Sequence, residues 1–293
     1  MNYKQKYQYL QNKELEQSSS SSNKCGSIPL YLINLDRSPH RLSEMNKQCD
    51  THQLSYTRIS AVDGKKISIV KQLPVLGIPC NCAFKDTHTD SIYIREQIQL
   101  VINPMNQYKF PIIVSPYELG CTLSHYKTHQ AIKQSSHDVA LVIEDDISFQ
   151  YIHKWPCSIE TILSLAPKDW TIIQLYTNHK QHAHKLYESS ELFHNISSEH
   201  INNYWGTGCY LINKKGIHHI ESQLCKSPND KVYHIRDEVL ADRLVYKQPG
   251  AYLFTFPLFI ETLFSTNDIV RSVSHSVVHQ EMSRYISMVY LSV

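Results

Sequence analysis

The sequence predicts an α/β fold with a mostly parallel central sheet, and three observations carry that expectation. Ala140-Leu-Val-Ile143 is a short apolar run that passes straight into Glu144-Asp145-Asp146 before apolar character returns at Ile147 and Phe149. A run of this kind reads as a strand covered on both faces, as in a parallel sheet. Residues 28–62 read as strand, helix, strand, a βαβ unit. The same alternation continues to residue 256 without an internal repeat.

Taken in order, residues 1–26 are rich in Gln, Lys and Ser and include an unbroken Ser18 to Ser22. That composition predicts a disordered polar tail, with at most a short helix near Tyr7–Glu16. A single domain is expected over 27–293. Ile28 to Leu35 is its first strand. Ser38-Pro39 marks a helix start, a hydroxyl to cap free N–H groups followed by a proline preset for the first helical position. This helix should run to about His52. Tyr56 to Val62 is the next strand, closed by the turn pair Asp63-Gly64. Residues 67–115 hold four prolines and mixed short apolar segments, which predict an irregular insertion with a strand or two. Pro116 to His125 leads into a helix ending near Lys133. Further helices are expected at about Ser158–Leu165 and from Lys214 to about Leu224, with another opening in Ile235 to Asp242. Strands are expected at Trp170–Tyr176, within 209–212 and at Ala251–Phe256, and a His- and Ser-rich surface loop over 177–202.

The acidic triplet is the candidate site. Unpaired carboxylates are too costly to keep in a core, so Glu144, Asp145 and Asp146 must lie where the strand leaves the sheet. In open α/β sheets ligands bind at that carboxyl end. Alternation along an extended strand puts Glu144 and Asp146 on one side and Asp145 on the other. One or two carboxylates, with phosphate oxygens completing the shell, suit a hard divalent cation brought in with a phosphate substrate. The plain alternative is a solvated turn; the apolar strand in front of the triplet argues against it.

Composition excludes several classes. Lys plus Arg, 29, nearly balances Asp plus Glu, 27, so no electrostatic footprint for nucleic acid is present in the net charge. No window approaches the roughly 20 apolar residues of a membrane span, so no transmembrane segment is expected, while peripheral contact with a membrane surface stays open. The first residues lack an apolar leader, and the eight cysteines, without a C-x-x-C pair, read as reduced thiols. A cytoplasmic protein is the expectation.

Five segments, in order, resemble glycosyltransferase family 25: Tyr31-Leu-Ile-Asn-Leu-Asp-Arg-Ser-Pro-His-Arg41, Ile59-Ser-Ala-Val-Asp-Gly64, Glu118-Leu-Gly-Cys-Thr-Leu-Ser-His125, Leu141-Val-Ile-Glu-Asp-Asp146 and Gly206-Thr-Gly-Cys-Tyr-Leu-Ile212. The resemblance covers roughly 28–270. It implies a GT-A fold, a Rossmann-like domain whose acidic strand end holds Mn2+ (or Mg2+) against the diphosphate of a UDP-sugar. It also implies transfer of a hexose, galactose or glucose, with inversion, to a hydroxyl of a glycan or protein acceptor. Metal ligation then falls on Glu144 and Asp146. Donor contacts fall on Asn34, Asp36, Arg37, Arg41, Asp63, Glu118, Ser124, His125, Asp145, Gly206 and Thr207. Enzymes of this fold that invert generally take their base from an acid well after the metal strand, which implies Asp237, then Glu238. Pairing or capping by Asp36 and Arg37, and a structural role for His125, remain open, as do a metal-dependent phosphohydrolase and an inactive nucleotide- or glycan-binding module.

Overall fold

The computed structural model describes residues 1–17, 24–70, 83–84, 87–88, 91–94, 99–102, 116–177, 184, 189–196, 206–226, 232–235, 240–256, 258–262 and 273–291. The helices there are α1 (Tyr3–Glu16), α2 (Pro39–Thr51), α3 (Pro116–Gln134), α4 (Ile159–Leu165), α5 (Lys214–Gln223), α6 (Ala241–Tyr246) and α7 (Val273–Leu291). The strands begin with β1 (Leu30–Asn34), β2 (Tyr56–Ser60), β3 (Ile67–Val70), β4 (Ala83–Phe84), β5 (Thr87–His88), β6 (Ser91–Ile94) and β7 (Gln99–Ile102). They continue with β8 (Val139–Glu144), β9 (Ile147–Ser148), β10 (Ile172–Gln174), β11 (Phe193–Asn195), β12 (Cys209–Asn213), β13 (Leu224–Lys226), β14 (Val232–Ile235), β15 (Ala251–Phe254) and β16 (Ile260–Glu261).

Seven strands form the central sheet in the order β11-β15-β10-β12-β8-β1-β2. β12 runs against both of its neighbours and β11 against β15, and the remaining pairs are parallel, so five of the seven strands share one direction. This is the mixed α/β, mostly parallel architecture expected of a Rossmann-like GT-A domain. The continuous apolar runs follow from the layering. Tyr31 and Ile33, Ala140 and Val142, Tyr210 and Ile212 face one core, with Leu119, Leu123 and Ile132 of α3 and Ile217 and Ile220 of α5 packed on them. Leu30 and Leu32, Leu141 and Ile143, Cys209 and Leu211 face the other, under Leu10 of α1, Met45 of α2 and Ile286 of α7. With both faces covered, period-2 side chains are apolar at every position, and polarity can appear only at the strand ends.

The βαβ unit forms as expected, β1 and β2 pairing in parallel from Leu30↔Tyr56 to Asn34↔Ser60. α2 buries Arg41, Met45 and Cys49, a stripe at i, i+4, i+8 whose first member is carried to the end of β8. Its start is corrected in one detail: the Ser38 hydroxyl makes no cap bond. Instead the Ser38 carbonyl accepts from Arg41 N–H (3.2 Å) and from Asn34 Nδ2 (3.3 Å). Among the described residues of 67–115 there are more strands than the one or two expected: β3, β6 and β7 join β14 and β13 in a five-stranded sheet and β4 pairs with β5. β14 ends at Ile235, and the helix expected to open in 235–242 is α6, which begins at Ala241. α7 was not foreseen.

The polar-tail expectation is corrected over the residues of α1. A capping box of Asn2 and Gln5 starts the helix, and Lys6 and Leu10, one turn apart, are fully buried. The Glu14 carboxylate accepts from Ser158 N–H (2.9 Å) and from the hydroxyls of Ser158 (2.8 Å) and Thr161 (2.5 Å), tying α1 to the start of α4. Composition underrated this segment because a helix needs few apolar residues when long-range hydrogen bonds dock it.

Burial lowers the Lys6 amine to about 8, while Nζ donates to Thr255 Oγ1 at 3.2 Å. A lysine depressed in the fold destabilises it below that value, and the penalty is relieved as pH rises from about 8 towards the unfolded value. Lys6→Met keeps the volume, and Thr255 Oγ1 still donates to the Glu191 carbonyl (2.9 Å). The variant is expected to be more stable at pH 7 by about 1–2 kcal/mol in urea unfolding, with the gain shrinking by pH 10.

Candidate active site

β8 hydrogen-bonds through Glu144 N–H to the Gly208 carbonyl (2.9 Å), after which the chain turns over Asp145 and Asp146. The turn closes as β9 pairs antiparallel with β16, and Thr262 N–H donates to the Asp146 carbonyl (2.5 Å). Because extended geometry stops at Glu144, the alternation expected for the triplet does not hold. Asp145 and Asp146 both turn onto Arg41, at 2.5 and 2.7 Å. Asp145 also accepts from Asn34 Nδ2 at 2.6 Å, so both of its oxygens are bonded. Glu144 is held by other partners: its Oε1 accepts from the Thr207 hydroxyl (2.8 Å) and contacts His125 Nε2 (3.2 Å).

Among the described residues a fourth carboxyl joins the three. Glu261, buried and accepting from the Tyr176 hydroxyl (2.9 Å), stands beside the triplet and brings the carboxyls to four. Burial, then Glu261, raise the Asp146 carboxyl well above the ordinary carboxylate range, with the Arg41 guanidinium opposing. Burial also works to raise Glu144, but His125, Thr207 and Arg41 bring it below the usual value. A buried, anion-rich strand end of this kind fits a divalent cation, which Glu144 and Asp146 would hold while Asp145 is committed to Arg41 and Asn34. Among the described residues Cys121 Sγ, a His125 ring nitrogen and a Glu144 oxygen also lie within 4.8 Å of one another, on the same wall.

The acids floor a cleft of about 110 Å³. Arg37 and Arg41 line it, as do Ser124 and His125 of α3. Ile33, Leu35, Ala61, Val62 and Tyr117 supply an apolar wall. Ser124 Oγ accepts from Val62 N–H (2.8 Å) and donates to the Gly120 carbonyl (2.6 Å). A Cβ on Gly120 would stand 2.7 Å from the Val62 carbonyl, so glycine is what lets α3 approach this wall.

The expected site residues therefore divide. Arg37, Arg41, Ser124, His125, Glu144, Asp145 and Asp146 come together in the cleft wall. Asn34 and Thr207 stand behind them as hydrogen-bond partners, and Asp63 holds Arg37 at 3.0 Å. Asp36 turns to Arg58 (2.6 Å) and Ser60 (2.8 Å) and is exposed. Glu118 lies in the first turn of α3 outside the lining. Gly206 takes a left-handed φ of 107° and donates N–H to Asp242 Oδ1 (2.7 Å), which fixes the turn that presents Thr207. Asp237 and Glu238 lie outside the described residues.

Sequence reasoning missed Asp242, Glu261, Tyr210 and His129. Burial raises the Asp242 carboxyl to about 6. Tyr210 Oη bonds both His125 Nδ1 (2.9 Å) and His129 Nε2 (2.8 Å), all three fully buried. Cys121, His125 and His129 recur every four residues, one face of a helix, and that spacing was a readable signal.

Comparison with known proteins accords with this geometry. Human procollagen galactosyltransferase 2 is 25% identical over 197 residues, 66% of this chain and 27% of that protein. A glycosyltransferase 25 family member of Anopheles gambiae is 31% identical over 121 residues, 41% of this chain and 17% of that protein. Procollagen galactosyltransferase 1-A of Xenopus laevis is 27% identical over 192 residues, 64% and 27% respectively. The chain thus spans little more than a quarter of these relatives at most. The family model described as glycosyltransferase family 25 (LPS biosynthesis protein) matches residues 27–239, most of the chain and every element of the acid-floored cleft up to β12, and the chain belongs to that family.

Proposed function

We propose that the protein is a metal-dependent inverting glycosyltransferase that moves a hexose, galactose or glucose, from a UDP-sugar to a hydroxyl of a glycan or protein acceptor. One observation carries the reading: four carboxyls converge at the buried end of β8 against Arg41, on the floor of a cleft that also offers Arg37 and an apolar wall. Family membership, and relatives named galactosyltransferases, support hexosyl transfer.

Mn2+ or Mg2+ held by Glu144 and Asp146 would neutralise the charge that develops on departing UDP. The chain's own groups do the rest. Arg37, pinned by Asp63 at 3.0 Å, presents a planar fork suited to a phosphate oxygen. Arg41 and Asn34 hold the two oxygens of Asp145 in the cleft wall. The apolar wall can face the nucleoside and exclude water. A single displacement with inversion needs a carboxylate opposite the donor to take the acceptor's proton, and Asp237 is assigned that role before Glu238. Asp242 acts through Gly206 on the position of Thr207.

The test is Asp237→Asn, with UDP-hexose turnover, UDP affinity and melting temperature measured together. Loss of a general base is expected to cost about 10² to 10⁴ in transfer with UDP affinity retained. Near-normal transfer with a lowered melting point would return the search to Glu238. Phosphate release from nucleotides without sugar transfer would favour a phosphohydrolase.

A further inference from the structure

The buried hydrogen bonds behind Glu144 can be assigned a direction. His129 Nε2, Tyr210 Oη, His125 Nδ1, His125 Nε2 and Glu144 Oε1 form an unbroken line with contacts of 2.8, 2.9 and 3.2 Å across its three links between residues. Tyr210 has one proton to donate and meets two ring nitrogens, so at least one histidine donates to it, and its own buried O–H is satisfied only if the other accepts. Three facts choose between them. His129 Nδ1 is buried with no hydrogen-bond partner, and an orphaned buried N–H is rarer in proteins than an unfilled acceptor. His129 therefore carries its proton on Nε2 and donates it to Tyr210. Burial drives His129 down to about 3, so the ring is neutral and has only that one proton. At the other end, a bare His125 Nε2 would turn a lone pair onto the Glu144 carboxylate at 3.2 Å, so Nε2 is protonated there.

We propose that Tyr210 and His129 are positioning residues which lock His125 in its Nε2–H form and thereby aim one oxygen of Glu144 into the cleft. The line runs His129 Nε2–H to Tyr210, Tyr210 O–H to His125 Nδ1, and His125 Nε2–H to Glu144. Thr207 donates to the same Glu144 Oε1 at 2.8 Å, so both protein donors fall on one oxygen and Oε2 is the one presented to a ligand. The arrangement also removes His125 Nε2 as a metal ligand, because it bears a proton, which leaves Glu144 as the donor on this wall for a hard cation. Metal-binding groups are commonly oriented by outer partners of this kind, whose loss costs about 10- to 100-fold in metal affinity. Positioning of Glu144 for a cation rests on the glycosyltransferase reading; the proton positions do not.

The two can be separated. Long-range 1H–15N correlation spectra of the ¹⁵N-histidine-labelled full chain, assigned with His125→Gln and His129→Gln, report the tautomer of each ring. Nε2–H tautomers at both positions are expected. A proton on Nδ1 at either position overturns the proposal, and this arm needs neither metal nor activity. In the second arm Mn2+ binding is read by electron paramagnetic resonance for wild type and Tyr210→Phe. A drop of about 10- to 100-fold in Mn2+ affinity, with the His125 Nε2–H signature lost, supports the positioning role. Unchanged Mn2+ affinity in a folded Tyr210→Phe overturns it. Absence of Mn2+ binding to wild type would overturn the metal reading, and with it the positioning role.

Discussion

Replacing Arg41 by leucine is expected to destabilise the protein by about 3–5 kcal/mol, the penalty for removing one partner from a buried ion network. Arg41 is 6% exposed and bonds Asp145 and Asp146 at 2.5 and 2.7 Å, so the variant takes that cation from two buried acids beside Glu144 and Glu261. For a chain of this size that corresponds to a fall in melting temperature of roughly 10 °C. The pH dependence has a definite sign. An acid raised by burial binds its proton more tightly in the folded state, so stability is greatest below the unfolded pKa and is lost as pH rises through the folded one. Asp146 is such an acid in the wild type, and without Arg41 it should be raised further. The defect should therefore be largest near neutrality, shrink as pH falls towards 4, and be partly relieved at neutral pH by Mn2+. Urea unfolding at pH 5 and 7.5, with and without Mn2+, measures all three. A loss below about 1 kcal/mol at pH 7.5 would mean that the acids do not depend on Arg41.

Asp146→Asn should behave in the opposite way, losing function while keeping the fold. The amide preserves the side chain's shape and removes a carboxyl that burial and Glu261 already disfavour as an anion, so the melting temperature is expected to hold or rise. Donor turnover should fall by about 10²–10⁴, since a metal ligand supports several kcal/mol of charge stabilisation on the leaving group. UDP affinity should become insensitive to chelator. A variant that keeps full turnover in chelator would remove Asp146 from the site.

How much of this was legible depends on whether the determining contacts are local. β1, β8 and β12 were readable because each is apolar at every position but its last, and the reason is visible in Tyr31 and Ile33 facing one core while Leu30 and Leu32 face the other. The acids at the end of β8 followed from the cost of burying charge. Their orientation did not follow, because Arg41, 104 positions before Asp145, overrules the alternation of the strand. Glu261 and Thr207 enter through β16 and the turn before β12, contacts that no spacing in the sequence encodes. The short helix near Tyr7–Glu16 was readable, but its docking was not, for the same reason: a sparse apolar pattern docks through Glu14 on Ser158, 144 residues away. The strands β13 and β14 were missed because they complete a sheet whose other members lie in the proline-bearing region 67–115.

The central claim, that the acidic end of β8 is the donor site of a metal-dependent glycosyltransferase, is tested most directly by hydrolysis of a panel of UDP-hexoses by the full chain. Turnover would be followed as UDP release, with Mn2+, with chelator, and with Asp146→Asn alongside. UDP release from UDP-galactose or UDP-glucose that requires Mn2+, stops with chelator and is lost in Asp146→Asn is the predicted result. UDP release that continues undiminished in chelator and in Asp146→Asn would contradict it.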